Sequence, residues 1–564
     1  MASPATPTSL QVKEGVDRVK VLLRAKDDTS RFCGLTWTRG LLNNSEIREN
    51  HDLVYELWTC ISPRFLDRLI RTGSQAPSPD THERHDQYLN LAVDIIHAFA
   101  ALVPSYSTYD SFHGRIPNLV RSVRHSSDET IDNVLGLLET LVQQPKHCAD
   151  TVGGATILAD MPVEDWEILI NVDPRHVQVF NIFYWAWTVG SDPSRGPSAL
   201  KSGKISQGLR LFASSFVNTP ATGPLLNFVA SIVEDLYIAA RPSVNDADSW
   251  LIHIGWMVQR LSTGKQSEEG RSAYINCAAA LLRVFPEKSA DVLFGDDQDS
   301  SKPFAYIFVS MVQVDFHSAI HLLQSDLTAS EYSRIAQRLA SALDVLTSFV
   351  GCLIERADQP GVVIGGGLSF VPEKLLKYRD LLVRAVSDAT EYLQDQQAAI
   401  SVAISAEAQG MALKKIFADP LTESAIRFIA LWLREDNADS LTVEAASTLM
   451  DVFKAFYIHK TTSKQEATVP ELRLPILAIL EVVITTSEGR SRFFEYDWFN
   501  CFWADFQPTR GPETPPDEQR VLRMLSAKGL HDEIMSHQRE LAPDILSNWT
   551  RLDHLIEHFI EFED

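Results

Sequence analysis

Cysteine is scarce in this chain of 564 residues, with six in all and no CxxC pair among them. Cys33, Cys60, Cys148, Cys277, Cys352 and Cys501 are far apart, whereas a disulfide framework or a zinc module needs clustered spacings. Buried, reduced thiols are therefore expected. Basic residues are also in deficit, 51 Lys and Arg against 74 Asp and Glu, which gives a formal net charge of −23. That sign repels phosphate backbones and anionic leaflets, and no dense Lys/Arg stripe reverses it, so nucleic acid is not expected as a general partner. A sustained alternating pattern is missing too, which argues against a sheet. The most apolar late stretch, Pro475 to Ile484, is interrupted by Glu481 and falls well below the roughly 20 residues of a membrane helix. The opening Met1 to Pro7 (MASPATP) has no basic region followed by an apolar run. No integral membrane segment and no secretory signal are expected, and the chain reads as soluble and cytosolic or nuclear.

What the sequence has in quantity is helical periodicity. Hydrophobic residues make up 45% and charged residues 22%, the balance of a folded globular chain. In Thr130 to Val142 the apolar positions Val134, Leu137, Leu138, Leu141 and Val142 share one helix face, and Pro145 closes the segment. Thr328-Ala329-Ser330-Glu331 forms a capping box, followed by the stripe Ile335, Leu339, Leu343, Leu346 and Val350. Similar segments are Asp86 to Leu102, Leu225 to Ala239, Ser272 to Val284, Lys374 to Leu393, Glu423 to Leu433, Leu441 to Tyr457 and Leu472 to Ile484. Each such helix must bury its stripe against a neighbour. A single core stops growing at about 250–300 residues, so the length favours an array. No fixed-period signature repeats cleanly, which fits degenerate armadillo or HEAT units of about 40–47 residues. The expected fold is all-α, an irregular armadillo/HEAT-like α-solenoid running over residues 1–564 as one helical-repeat domain. Loops rich in Pro, Gly, Ser or charge punctuate it, and a hinge, if present, falls at 357–373.

Motifs that would carry chemistry are thin. Gly365-Gly366-Gly367 is followed by Leu368 and Ser369, with Lys374 out of position for a phosphate cradle. His317 and His321, and likewise His554 and His558, stand four apart on predicted helices. Neither pair has the adjoining Glu of the helical metalloprotease signature, and zinc takes three or four ligands. No nucleophile elbow or protease cysteine signature occurs. No catalytic, cofactor-binding or metal residue is assigned, and no cofactor is expected. Aromatics cluster at Phe180 to Trp187 (FNIFYWAW), read as helix-packing core, and at Phe493 to Phe506 (FFEYDWFNCFWADF). The second run mixes rings with Glu495, Asp497 and Asp505, and core and partner-binding surface both remain open for it.

Several stretches resemble the neurochondrin family. Val21 to Leu35 (VLLRAKDDTSRFCGL) is similar to its opening helix pair, where a leucine-rich helix ends in an AK(D/N)D turn. Phe65 to Arg71 (FLDRLIR) is similar to the next helix. Pro372 to Asp380 (PEKLLKYRD), leading into Thr390 to Asp395 (TEYLQD), resembles a segment of fungal members. Ile429 to Asp436 (IALWLRED), with Glu444-Ala445-Ala446 after it, resembles a helix junction of the family. These landmarks keep their order over most of the chain. The resemblance implies an armadillo-like fold and a cytosolic adaptor with no catalytic residues. Animal members are associated with neurite outgrowth, binding of membrane-receptor tails and restraint of calcium/calmodulin-dependent kinase phosphorylation.

The expected function is thus a protein-interaction scaffold in cytosolic signalling or trafficking, engaging other proteins through a groove. The charge of −23 favours Lys/Arg-rich partner peptides. The rival is a helical-repeat nucleotide exchange factor for a GTPase, told apart by accelerated nucleotide release. A nuclear transport receptor ranks last, because the tandem WxxxN ladder of a basic-peptide groove is absent.

Overall fold

The computed structural model describes residues 9–73, 82–102, 111–143, 153–188, 199–217, 219–239, 248–295, 304–325, 327–357, 372–402, 406–435, 440–462, 472–506, 518–537, 547 and 549–553. Among these every regular element is helical. The chain forms two compact units, Met1–Met257 and Val258–Asp564. The expected hinge lies at residues that, for 358–371, fall outside those described.

In the first unit the helices Asp28–Leu41, His82–Leu102, Asp128–Gln143, His176–Thr188 and Thr222–Ala239 pack one on the next. A second row runs through Pro63–Gly73, Ile116–Ser122, Val163–Ile170 and Ala199–Ser215. Each row takes about every third helix. The second unit repeats the plan, with Glu268–Val284, Ala329–Ala357, Pro420–Glu435, Arg473–Val483 and Glu518–Ser536 stacked in order. Its companion row is Phe304–Ile320, Pro372–Val402, Ser440–Ser447 and Ser487–Glu495. Within each unit this is armadillo/HEAT-type construction, in which each helical group contacts mainly the group before and the group after.

Several polar contacts between neighbouring rungs recur at a similar spacing. His97 and Thr140 meet at 3.0 Å across 43 positions, and the Asn133 amide donates to Asn90 across 43. Arg121 grips Asp165 across 44 positions, with 3.0 and 2.8 Å bonds. In the second unit Arg271 donates to Asp315 across 44 and Tyr457 to Asp505 across 48. All but the last of these separations fall within the repeat length expected from the sequence, and the last exceeds it by one residue.

Local rules explain the element ends. Asp27 caps Asp28–Leu41 by accepting from the Ser30 N–H at 2.7 Å, which is what the AKDD turn does. The capping box forms as read: the Glu331 N–H donates to Thr328 Oγ1 at 3.3 Å, and the Thr328 N–H donates back to Glu331 Oε2 at 3.0 Å. Ile335, Leu339, Leu343, Leu346 and Val350 are all buried. One expected helix divides: Leu441 to Tyr457 is two helices, Ser440–Ser447 and Met450–Thr462. At the break the Ser447 and Thr448 hydroxyls donate to the carbonyls of Glu444 and Ala445, three residues back. Such local bonds compete with helix continuation.

Candidate interaction site

Two concave features lie in the second unit. The first crosses three successive rungs of its main row and has a volume of about 540 Å³. Ala279 and Arg283 come from Glu268–Val284, Gln337 and Asp344 from Ala329–Ala357, and Glu423 and Arg427 from Pro420–Glu435. The side chains cross-brace. Arg283 donates to Asp344 at 2.7 Å, Ser424 donates to the other Asp344 oxygen at 2.9 Å, and Arg427 pairs with Glu423. Burial lowers the Arg427 pKa, Asp344 opposes that fall, and Arg283 adds to it. The result is a polar groove with charges of both signs that crosses three rungs of the row.

The second feature is a cleft of about 330 Å³ between the end of Phe304–Ile320, with the turn after it, and Pro372–Val402. Asp388, Glu391 and Asp395 line one wall, and His321 and Gln324 line the other. His317 meets Asp388 at 2.8 Å, and the Gln324 amide donates to Asp395 at 2.7 Å. Tyr332 and Tyr392 complete the lining, and both hydroxyls donate to Asp419, at 2.5 and 2.6 Å. Burial raises the pKa of both phenols, and Asp419 raises them further. Lys415 Nζ stands 5.2 Å from the Tyr332 ring centre.

The residues singled out in the sequence fall as follows. His317 and His321 do sit together, with ring centres 5.7 Å apart, but His317 is taken by Asp388. Among the described residues no group of three or more His, Cys, Asp or Glu is arranged to hold a metal. His554, His558 and Gly365 to Gly367 lie outside the described residues. Phe180, Phe183 and Trp187 are core, interlocked with Phe212 and Phe228, while Trp185 is 36% exposed. The later cluster resolves mainly as core, since Phe493, Trp498 and Phe502 are fully buried around Trp549. Its acid Asp505 faces inward, to Arg473, Arg523 and Tyr457. Cys60, Cys277, Cys352 and Cys501 are buried thiols outside any disulfide, and burial raises the thiol pKa of Cys352 and Cys501. Cys33 departs from expectation by being exposed, and Cys148 is outside the described residues.

Sequence reading missed both concave features. They assemble from residues tens of positions apart, and only the i, i+3, i+7 spacing of Asp388, Glu391 and Asp395 signals one of them. It also passed over Phe304–Gln324 and Ala329–Arg356, which are long and apolar enough to cross a bilayer, with 44% and 61% of their most apolar stretches buried in the fold.

The Neurochondrin family model matches residues 11–495. A Schizosaccharomyces pombe protein described as uncharacterised is 22% identical over 445 residues, which is 78% of this chain and 67% of that protein. Among solved structures, an engineered protein aligns with a TM-score of 0.49 at 11% identity, over 92% of this chain and 98% of its own. SYS-1 aligns with a TM-score of 0.39 at 11% identity, over 97% and 99%. Kap121p aligns with a TM-score of 0.32 at 11% identity, over 94% and 46%.

Proposed function

Because the chain belongs to the neurochondrin family, we propose that it is a non-catalytic protein-interaction scaffold acting in cytosolic signalling or trafficking. The observation that carries this reading is the groove over three successive rungs, walled by Arg283, Asp344, Glu423 and Arg427. A groove crossing successive rungs offers side chains along a line, which suits an extended or helical partner segment. Its side chains are already braced by one another, so a partner meets a preorganised surface and less ordering entropy opposes binding.

The test is affinity purification of the tagged native protein at low and high salt, with quantitative mass spectrometry, alongside Gln337→Trp. Gln337 is exposed and lines the groove, so the indole fills space without breaking an ion pair. A reproducible set of partners depleted by Gln337→Trp supports the reading. Recovery of the same partners with both proteins places binding elsewhere, and recovery of the chain alone contradicts a scaffold. Accelerated nucleotide release from a co-purified GTPase would replace it with an exchange factor.

A further inference from the structure

Among the described residues, the helix Phe304–Ile320 leaves part of one face exposed. Met311 and Val314 are 39% and 51% exposed, and Leu322, in the turn that follows, is 46% exposed. At helical spacing Met311, Val314, His317 and His321 share one face. His321 lines the 330 Å³ cleft, so the apolar stripe runs directly into a carboxylate-lined mouth. Scattered exposed apolar residues are ordinary, whereas a stripe ending at a charged cleft marks a contact surface. From Met311 to Leu322 it spans about 16 Å, three turns of helix.

The charge beside the stripe selects the occupant. Asp388, Glu391 and Asp395 recur at i, i+3 and i+7 along Pro372–Val402. Glu391 makes no ion pair among the described residues, and Asp395 is matched only by the neutral Gln324 amide. An anionic bilayer would be repelled by these groups. A second copy docking face to face by twofold symmetry would bring the carboxylates toward themselves.

We propose that this face and the cleft together dock an amphipathic helix of a partner protein. Its apolar side meets Met311, Val314 and Leu322, and its Lys or Arg residues enter beside Glu391 and Asp395, with Asp388, held by His317, behind them. The proposal goes beyond the scaffold reading, on which it rests only in requiring a protein partner, by naming a second surface and the chemistry it takes.

The experiment uses the full chain and a fluorescein-labelled helical peptide of about 18 residues built from Leu and Lys, read by fluorescence anisotropy at low salt. The variant Asp388→Asn/Glu391→Gln/Asp395→Asn is expected to weaken binding about tenfold or more, and Val314→Ser severalfold. A control neutralising three exposed acids of the first unit, Glu49→Gln/Glu164→Gln/Glu167→Gln, is expected to change it less than about twofold, which separates the cleft from net charge. Circular dichroism confirms folding, and Val314→Ser keeps the test decisive if the triple variant unfolds. Equal loss in the control overturns the proposal, as does unchanged binding in both cleft variants. A self-association lost in the triple variant would assign the face to a second copy. Binding to phosphatidylcholine vesicles lost in Val314→Ser would assign it to a membrane, and either result also overturns the proposal. Native partners that all survive the triple variant overturn it while leaving the scaffold reading intact.

Discussion

At the scale of single residues, a few buried charges are costly to remove because their partners are buried with them. Asp505, with its side chain 4% exposed, holds Arg473 and Arg523 and accepts from the Tyr457 hydroxyl at 3.0 Å. Asp505→Ala removes the carboxylate that two largely buried guanidiniums share, and a loss of about 3–5 kcal/mol is expected in denaturant unfolding. A loss of under about 1 kcal/mol, the range of a surface pair, would show the triad to be solvated. Four tyrosines, three buried and Tyr332 half-buried, add a pH dependence. Burial, helped by Asp315, pushes Tyr274 up to about 12. Tyr332, Tyr392 and Tyr457 are raised by burial and then by Asp419 or Asp505. The fold favours the neutral form of each. Their contribution is therefore whole below the unfolded phenol value near 10 and is lost as pH rises through the folded values. Phenolate absorbance should rise in two stages, the second coinciding with loss of helical circular dichroism. Ionisation of all 13 tyrosines in one stage near pH 10 would contradict this.

At the scale of elements, capping and close approach set the helix ends and spacings. Thr328→Ala removes the hydroxyl half of a formed capping box, and about 0.5–2 kcal/mol should be lost. No measurable change would mean that this helix end frays. Gly208 lies where the helix Ala199–Ser215 meets Trp187, and a Cβ there would stand 2.6 Å from the indole and 3.3 Å from Trp166. Gly208→Ala should therefore cost about 1–3 kcal/mol by overpacking, although alanine is the better helix former. A stabilised protein would show that the indole moves aside freely. The helices themselves were legible because the apolar stripe of Thr130 to Val142 and the box at Thr328 are local signals. The break at Thr448 was not, because the apolar pattern runs on through it while hydroxyl-to-carbonyl bonds cap the chain. The inward turn of Asp505 was also hidden. An acid among rings looks the same in sequence on a surface as in a core, and its two arginine partners lie 18 and 32 positions away.

At the scale of the molecule, each unit is a stack of similar rungs rather than one large core. That organisation was readable from length, from helical period and from the ordered family landmarks. The grooves were not, because each is assembled from side chains one or more repeats apart. A stack of this kind yields continuous surfaces, and the second unit presents two of different chemistry. One is a braced groove of mixed charge, and the other an apolar face running into acids. With a net charge of −23, binding at the acidic face should weaken as salt rises, since added ions screen exposed charges beyond about 10 Å at 0.1 M. The mixed groove should respond less. The measurement that tests the scaffold most directly is hydroxyl-radical footprinting of the native protein, alone and in complex with its co-purifying partner. The account predicts protection of groove-lining side chains such as Pro420 and Arg427, or of Met311 and Val314 on the acidic face, with the buried core unchanged. A complex whose footprint leaves both surfaces as reactive as in the free chain would contradict it.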